Sequence, residues 1–204
     1  MRNDFNYLNI KKIGELFLYR PTASRFSDIL TPTGEPSTAA KRYMEDILRW
    51  TFCGSDQYEP SSYWAERGKL LESEAMKAYN EKKKITAIKS EKFVFNKMHF
   101  CGCYPDGSYK NVCQEIKCLK KENHLEIVTS EKIPLKFKPQ IQGTLLITGS
   151  EWLDFIAYCP NEKLFIQKVF HDVIYIEKLI EQLRIFNKKL TQVFEERKRI
   201  LYNE

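Results

Sequence analysis

The 204-residue chain is short of glycine and proline, with eight of each. No Gly-rich or Pro-rich tract interrupts it. That excludes a fibrous or low-complexity protein and leaves no flexible linker to divide it. No apolar run approaches the roughly 18 residues of a membrane-spanning helix. The opening residues, MRNDFNYLNIKK, lack the basic start and apolar stretch of a secretory signal, so the expected setting is intracellular. Histidine is scarce, and His99, His124 and His171 are scattered, which disfavours a histidine-rich metal site. The six cysteines, at 53, 101, 103, 113, 118 and 159, include no CxxC pair. Without signs of secretion they read as reduced thiols. The CxC of Cys101 and Cys103, lacking a second pair, is too little for zinc or an iron–sulfur cluster.

What is present has the balance of a globular protein: 43% hydrophobic and 29% charged residues. The length suits one domain spanning 1–204, with a core region at about 20–170 and a C-terminal helix at about 171–202. The net charge of +6 suits a polyanionic partner without proving one.

Apolar periodicity places the elements. Residues 7–19 carry helical spacing at Leu8, Ile13, Leu16 and Phe17, ended by Pro21. A Ser/Thr/Pro-rich loop follows, with one short helix expected around 24–30. Ser37 and Thr38 can cap a helix to about Trp50. GSDQYEPSS separates it from a clearer helix over 62–84, whose buried stripe is Trp64, Gly68, Leu71, Ala75 and Tyr79. Glu72 falls on the inner side of that helix, where a bare carboxylate would be costly. Short strands are expected around 91–96, 99–103 and 112–119, with Pro-Asp-Gly as a turn. A helix then carries Pro139 in its first turn and stops at Gly149. WLDFIAYCP and KLFIQKVF read as strands, and 171–202 as one long amphipathic helix. The order predicts an α/β fold with a mixed central sheet.

One stretch carries chemistry: YPDGSYKNVCQEIKC, residues 104–118. Strand alternation puts Glu115 and Lys117 on one face. If the preceding strand pairs as a hairpin, Asp106 approaches Glu115. Two such carboxylates repel unless a cation lies between them. Mg2+ takes hard oxygen ligands of this kind, with the Ile116 carbonyl and Glu72 as further donors. An ammonium at Lys117 would help activate water or stabilise charge on phosphorus. The pattern P-D-x(n)-E-x-K is loose by itself, and a surface hairpin with a weak Glu–Lys pair is the alternative.

Four blocks in order sharpen that choice. PTASRFSDIL, ERGKLLESEAMKAY, YPDGSYKNVCQEIKC and KPQIQGTLLITGSEWLDFIAYCP span 21–160. Together they resemble the TAS, Gly-x-x-x-Glu, PDG…E-[IL]-K-C and Q-x-Q blocks of the lambda exonuclease and YqaJ-type viral recombinase family, within the PD-(D/E)xK nuclease superfamily. The resemblance implies a restriction-endonuclease-like core and a 5′→3′ exonuclease acting on double-stranded DNA ends. The product would be a 3′ single strand for an annealing protein. It implies Asp106, Glu115, the Ile116 carbonyl and Glu72 as ligands of Mg2+, two ions in all, with Mn2+ as a substitute. Lys117 would be the catalytic lysine and Gln140 its support. Gln142 points from another face of its helix. Ser24 would lie in a 5′-phosphate pocket with Arg20 or Arg25, because the family's arginine position here falls near Phe17. Tyr104 stands where the lambda enzyme has serine, and could donate its hydroxyl or stack on a base. The resemblance further implies a ring-shaped trimer, no membrane association, and the cytoplasm of a bacterial host if the gene is a phage's. Lys188, Lys189, Arg197, Lys198 and Arg199 offer a DNA-facing or subunit-facing surface, or only a solvated helix face. A structure-specific or restriction-like endonuclease, and a silent DNA-binding protein on the same fold, are the competing readings. The silent form would lack an acid or the lysine, and all are present here.

Overall fold

The computed structural model describes residues 12–13, 16–17, 19–53, 63–90 and 92–202. Two short strands, β1 (Lys12–Ile13) and β2 (Leu16–Phe17), pair antiparallel with Ile13 opposite Leu16. The helix expected over 7–19 is therefore corrected. Spacings of three and four residues also arise when two strands face each other, and Ile and Phe favour strand. Leu8 lies outside the described residues, as does the GSDQYEPSS segment.

A 3-10 helix, Ala23–Asp28, leads to α1 (Ala40–Cys53), which begins just beyond Ser37; the Ala39 N–H donates to Ser37 Oγ at 3.3 Å. Helix α2 (Tyr63–Lys83) follows. Then come β3 (Ile88–Lys89), β4 (Val94–Asn96), β5 (Cys101–Cys103), β6 (Gly107–Tyr109) and β7 (Val112–Cys118). Helix α3 (Lys121–Ser130), a 3-10 turn and α4 (Lys138–Thr148) cross over to β8 (Trp152–Tyr158). Strand β9 (Phe165–Val169) and the 30-residue α5 (Val173–Tyr202) complete the chain.

The central sheet has the order β3-β6-β7-β8-β9. Its β7–β8 pair is parallel and the others antiparallel, so the sheet is mixed. The fold is α/β with a mixed central sheet, as the order of elements predicts. Strands β4 and β5 form a separate antiparallel ribbon. The Pro-Asp-Gly segment is accordingly not a hairpin turn. It carries the chain from the ribbon into the main sheet, and the hairpin turn is at Lys110 and Asn111.

Each sheet face has its own apolar layer. Ile116, Ile156 and Tyr158 pack on Ala75, Met76 and Tyr79 of α2. Cys113, Leu153, Phe155 and Ala157 pack on Ile127 of α3 and on Ile141 and Leu145 of α4. A third cluster joins Phe26, Tyr43, Ile47, Cys101, Leu183 and Phe194 from the 3-10 helix, α1, β5 and α5. Helix α4 lies between the second and third layers, so it is apolar nearly all round.

In α2, Ala75 and Tyr79 are buried as the stripe requires, while the Trp64 side chain lies outside the described residues. In α5, Leu183, Phe186 and Leu190 are buried, but Val173 and Ile200 at its ends are 63% and 71% exposed. Among the described residues no helix is long and apolar enough to cross a membrane.

Gly143 is where α4 meets the 3-10 helix: a Cβ there would come within 2.3 Å of Phe26 Cδ2. Alanine would add about 1 kcal/mol of helix propensity. Overpacking against a fully buried ring costs roughly 1–3 kcal/mol, and it should win. We expect Gly143→Ala to lower Tm by about 2–6 °C in scanning calorimetry.

Candidate active site

The site is built on β7, whose outer partners bring three elements to one point. Alternation sends Cys113, Glu115 and Lys117 toward α4. Glu115 is 1% exposed. A carboxylate so buried requires partners, and it has two. Lys117 Nζ lies 2.6 Å from Glu115 Oε1. Gln140, in the first turn of α4, donates through Nε2 to that same oxygen. Its Oε1 accepts from Lys117 Nζ at 3.0 Å. The three side chains close a ring of polar contacts, and Lys117 also lies 5.5 Å from the Phe137 ring centroid.

Asp106 enters from the segment before β6. Its backbone N–H donates to the Gln114 carbonyl at 3.2 Å, which pins it against β7. Its Oδ2 accepts from the Ile116 N–H at 2.6 Å. Burial first, then repulsion from Glu115, pushes the Asp106 carboxyl up to about 8. The Ile116 N–H and Lys117 pull the other way and offset only part. Lys117 shows the opposite response. Burial disfavours its ammonium, but Glu115, with Asp106 and Glu72 beyond it, raises its pKa above the usual lysine value. Lys117 is thus a cation at neutral pH.

This donor set fits a hard divalent cation. Both donors to Glu115 converge on Oε1, leaving Oε2 without a protein hydrogen bond among the described residues. Asp106 likewise keeps Oδ1 free of protein donors there. Two mutually repelling carboxyls with spare oxygens are what Mg2+ takes up, together with water and substrate oxygens. Glu72 reaches the rim from α2, near enough to repel Asp106, but its Oε2 pairs with Lys89 Nζ at 3.1 Å. Among the described residues no three acidic, His or Cys side chains form a ready-made cage.

The residues assigned to phosphate recognition lie in the neighbouring layer, where Thr22 bridges to Gly102. Ser24 is exposed, its Oγ 3.2 Å from Thr22 Oγ1. Arg25 is claimed elsewhere: it pairs with Asp28 and, at 3.2 Å, with Asp46, and lies over the Tyr43 ring. Among the described residues Arg20 donates only a long 3.4 Å bond to Thr191 Oγ1, and its buried Nε has no partner there. Burial lowers its pKa. Tyr104 is 43% exposed. Gln142 does not face the site; its side chain clasps the β9–α5 junction, donating to the Phe170 carbonyl at 3.0 Å and accepting from the Asp172 N–H at 2.8 Å.

One polar cluster was not legible in the sequence. On the opposite face of the sheet, Gln114 and Asp154 are register partners, and Tyr79 donates to Asp154 Oδ2 at 2.6 Å. Burial and that carboxylate push the Tyr79 hydroxyl strongly up. Inward Tyr79 was expected; its partner, 75 residues away, was not.

The sequence signature of the YqaJ-like viral recombinase domain matches residues 6–151. The chain belongs to that family. Among proteins of curated function none matches it. Three solved structures are similar. LHK-Exo in complex with dAMP shares 23% identity, with a TM-score of 0.80 over 91% of this chain and 95% of that one. The alkaline exonuclease LHK-Exo from Laribacter hongkongensis shares 22%, with a TM-score of 0.79 over the same shares. A phage related exonuclease from Haemophilus somnus 129PT shares 13%, with a TM-score of 0.68 over 88% and 97%.

The Glu115–Lys117 pair makes a stability test. Lys117→Met leaves a buried carboxylate short of its cation, at a cost of roughly 3 kcal/mol. Urea titration in EDTA should show that loss, and Glu115→Gln in the same chain should restore most of it. A double variant no more stable than Lys117→Met would contradict the pairing.

Proposed function

We propose that this protein is a divalent-metal-dependent deoxyribonuclease that digests one strand of duplex DNA from an end, 5′→3′, and leaves a 3′ single strand. One observation carries the reading: among the described residues Asp106 and Glu115 hold carboxylate oxygens free of protein donors, beside a lysine fixed as a cation. The fold it shares with proteins described as alkaline and phage related exonucleases supports it.

Asp106, Glu115 and the Ile116 carbonyl would hold one Mg2+, with Mn2+ as a substitute. A second ion would draw on Glu72 and displace Lys89 from it. The bound cation would withdraw charge from a phosphodiester oxygen, making phosphorus open to attack by water. The Lys117 ammonium faces the same volume and stabilises charge that builds on the phosphoryl oxygens. Gln140 holds the Lys117–Glu115 pair in place, accepting from the lysine Nζ and donating to the same carboxylate oxygen. Arg20, whose guanidinium has no carboxylate partner among the described residues, serves a 5′-phosphate better than Arg25, which two carboxylates already neutralise. Ser24 supplies a hydroxyl beside it. An annealing protein that takes up the product strand, and a ring of three copies around the duplex, complete the reading.

The test is nucleotide release from linear duplexes, with and without a 5′-phosphate, and from closed circular duplex, in Mg2+. Linear DNA should be degraded and the circle spared. Lys117→Ala should lower the rate by about 10²–10³-fold. Arg20→Ala should abolish preference for the 5′-phosphate. Cutting of the circle would turn the assignment to an endonuclease.

Metal affinity should depend on pH. Below about 8 the Asp106 carboxyl is mostly protonated, so cation binding must expel a proton. Affinity should therefore rise up to tenfold per pH unit approaching pH 8 and level off above it. Titration calorimetry in buffers of different ionisation enthalpy measures that proton, and Asp106→Asn should remove it.

A further inference from the structure

The β4–β5 ribbon breaks a rule of two-stranded antiparallel structure. Such ribbons turn apolar residues inward and polar ones to water. The inner face here is ordinary. Cys101 and Cys103 are buried, Val94 packs on the same cluster, and Asn96 donates to the Leu146 carbonyl at 3.3 Å. Alternation puts Phe93, Phe95, Phe100, Gly102 and Tyr104 on the other face. That face is four aromatic rings and a glycine.

The rings form a continuous strip. Tyr104 and Phe93 have centroids 5.0 Å apart, Phe93 and Phe95 6.5 Å, and Phe95 and Phe100 6.5 Å. Gly102 makes room for the Phe93 ring, and neighbouring rings along the strip are tilted at 51°, 31° and 71°. A Cβ there would be 2.0 Å from Phe93 Cζ. The strip keeps access to solvent: Phe100 is 44% and Tyr104 43% exposed, with Phe93 and Phe95 half-buried. One end reaches the candidate active site, since Asp106 follows Tyr104 by two residues. At the other end the Arg20 guanidinium lies 5.2 Å from the Phe100 centroid.

Charge identifies the occupant. Residues 92–104, KFVFNKMHFCGCY, contain two exposed lysines, Lys92 and Lys97, and no carboxylate, with Glu91 just before them in the sequence. Aromatic faces bordered by cations suit bases on a phosphate backbone. A protein partner would need only the apolar area. We propose that this strip is a stacking platform for single-stranded DNA, which it guides between Arg20 and the metal site. This rests on the nuclease reading and extends it from Tyr104 to a track of four rings.

The test is binding without cleavage. Fluorescence anisotropy in EDTA would compare a labelled twelve-residue thymidine strand with an abasic strand of the same length. The native protein should bind the thymidine strand at least about tenfold more tightly, as stacking on two or more rings implies. Phe95→Ala and Phe100→Ala should each weaken thymidine binding by roughly 5- to 100-fold and leave abasic binding unchanged. Phe100→Tyr, which keeps the ring, should retain the preference and exclude simple misfolding. Equal binding of both strands by the native protein overturns the proposal. So does a thymidine preference that survives both alanine variants. Sedimentation velocity supplies the rival outcome: if Phe100→Ala dissociates an oligomer and spares oligonucleotide binding, the strip is a contact between copies. Because no metal is present, these results stand apart from the nuclease assay. An enzyme inactive on linear DNA could still stack bases, and an active one could fail to.

Discussion

A carboxylate buried in the middle of a sheet governs the arrangement of this molecule. Glu115 belongs to β7, is paired with Phe155 of β8 and is 1% exposed, and the β6 pairing stops at Gln114, where Asp106 stands beside it. Its charge must be met from the α4 side. Lys117, two residues on, is on the correct face but cannot satisfy the carboxylate and keep its own geometry alone. Gln140 does both, because an amide donates at one end and accepts at the other. That fixes where α4 begins. Having begun there, α4 must run between the sheet and the outer helical layer, and its sequence answers with Ile141 and Leu145 toward one and Gly143 toward the other. The buried charge, the docking of α4 and the close approach of Phe26 are one constraint seen at three places.

The site is held in electrostatic conflict by the same packing. The Gln114 carbonyl and the Ile116 N–H lock Asp106 in place, so it cannot retreat from Glu115. Lys117 is committed to Glu115 and relieves Asp106 only in part. The molecule thus carries a carboxyl that backbone bonds position and its neighbours disfavour as an anion. In the proposed function a divalent cation would relieve the conflict. On the opposite face, the Gln114–Asp154–Tyr79 cluster is a second polar insertion, tied by a 2.6 Å bond to α2. Between them, the two clusters anchor one helix on each side of β7.

Much of this was legible because the signals were local. The strand alternation of VCQEIKC and the helical stripe ending in Tyr79 need no knowledge of distant residues. Gly149 also ends α4 as read, with a positive φ of 65°. Failures came where local signals were ambiguous or partners remote. Ile13, Leu16 and Phe17 suit a helical face and a strand pair equally, and pairing decided for strands. Helix α3 was missed because KENHLEIVTS is mostly polar; only His124 and Ile127 are buried, one turn of contact. Strands β3 and β6 are two and three residues long, below any periodicity. Arg20 and Arg25 could not be ranked from sequence, because the acids that neutralise Arg25 include Asp46, in another helix.

The Pro-Asp-Gly segment shows how the parts become one surface. Read locally it is a turn, but the chain does not reverse on itself there. It leaves one sheet and enters another, with Pro105 buried at the step and Asp106 just beyond it. Proline fixes φ and gives up an N–H, so a junction built on it is stiff and makes no demand for a ladder bond. The face of the ribbon that carries Tyr104 is therefore held at a set angle to the edge of β7 that carries Glu115. Aromatic strip and carboxylate pair are adjacent in the chain and rigidly joined in space. On the proposed path, a strand of DNA lying along the rings would reach the acids by that single stiff step.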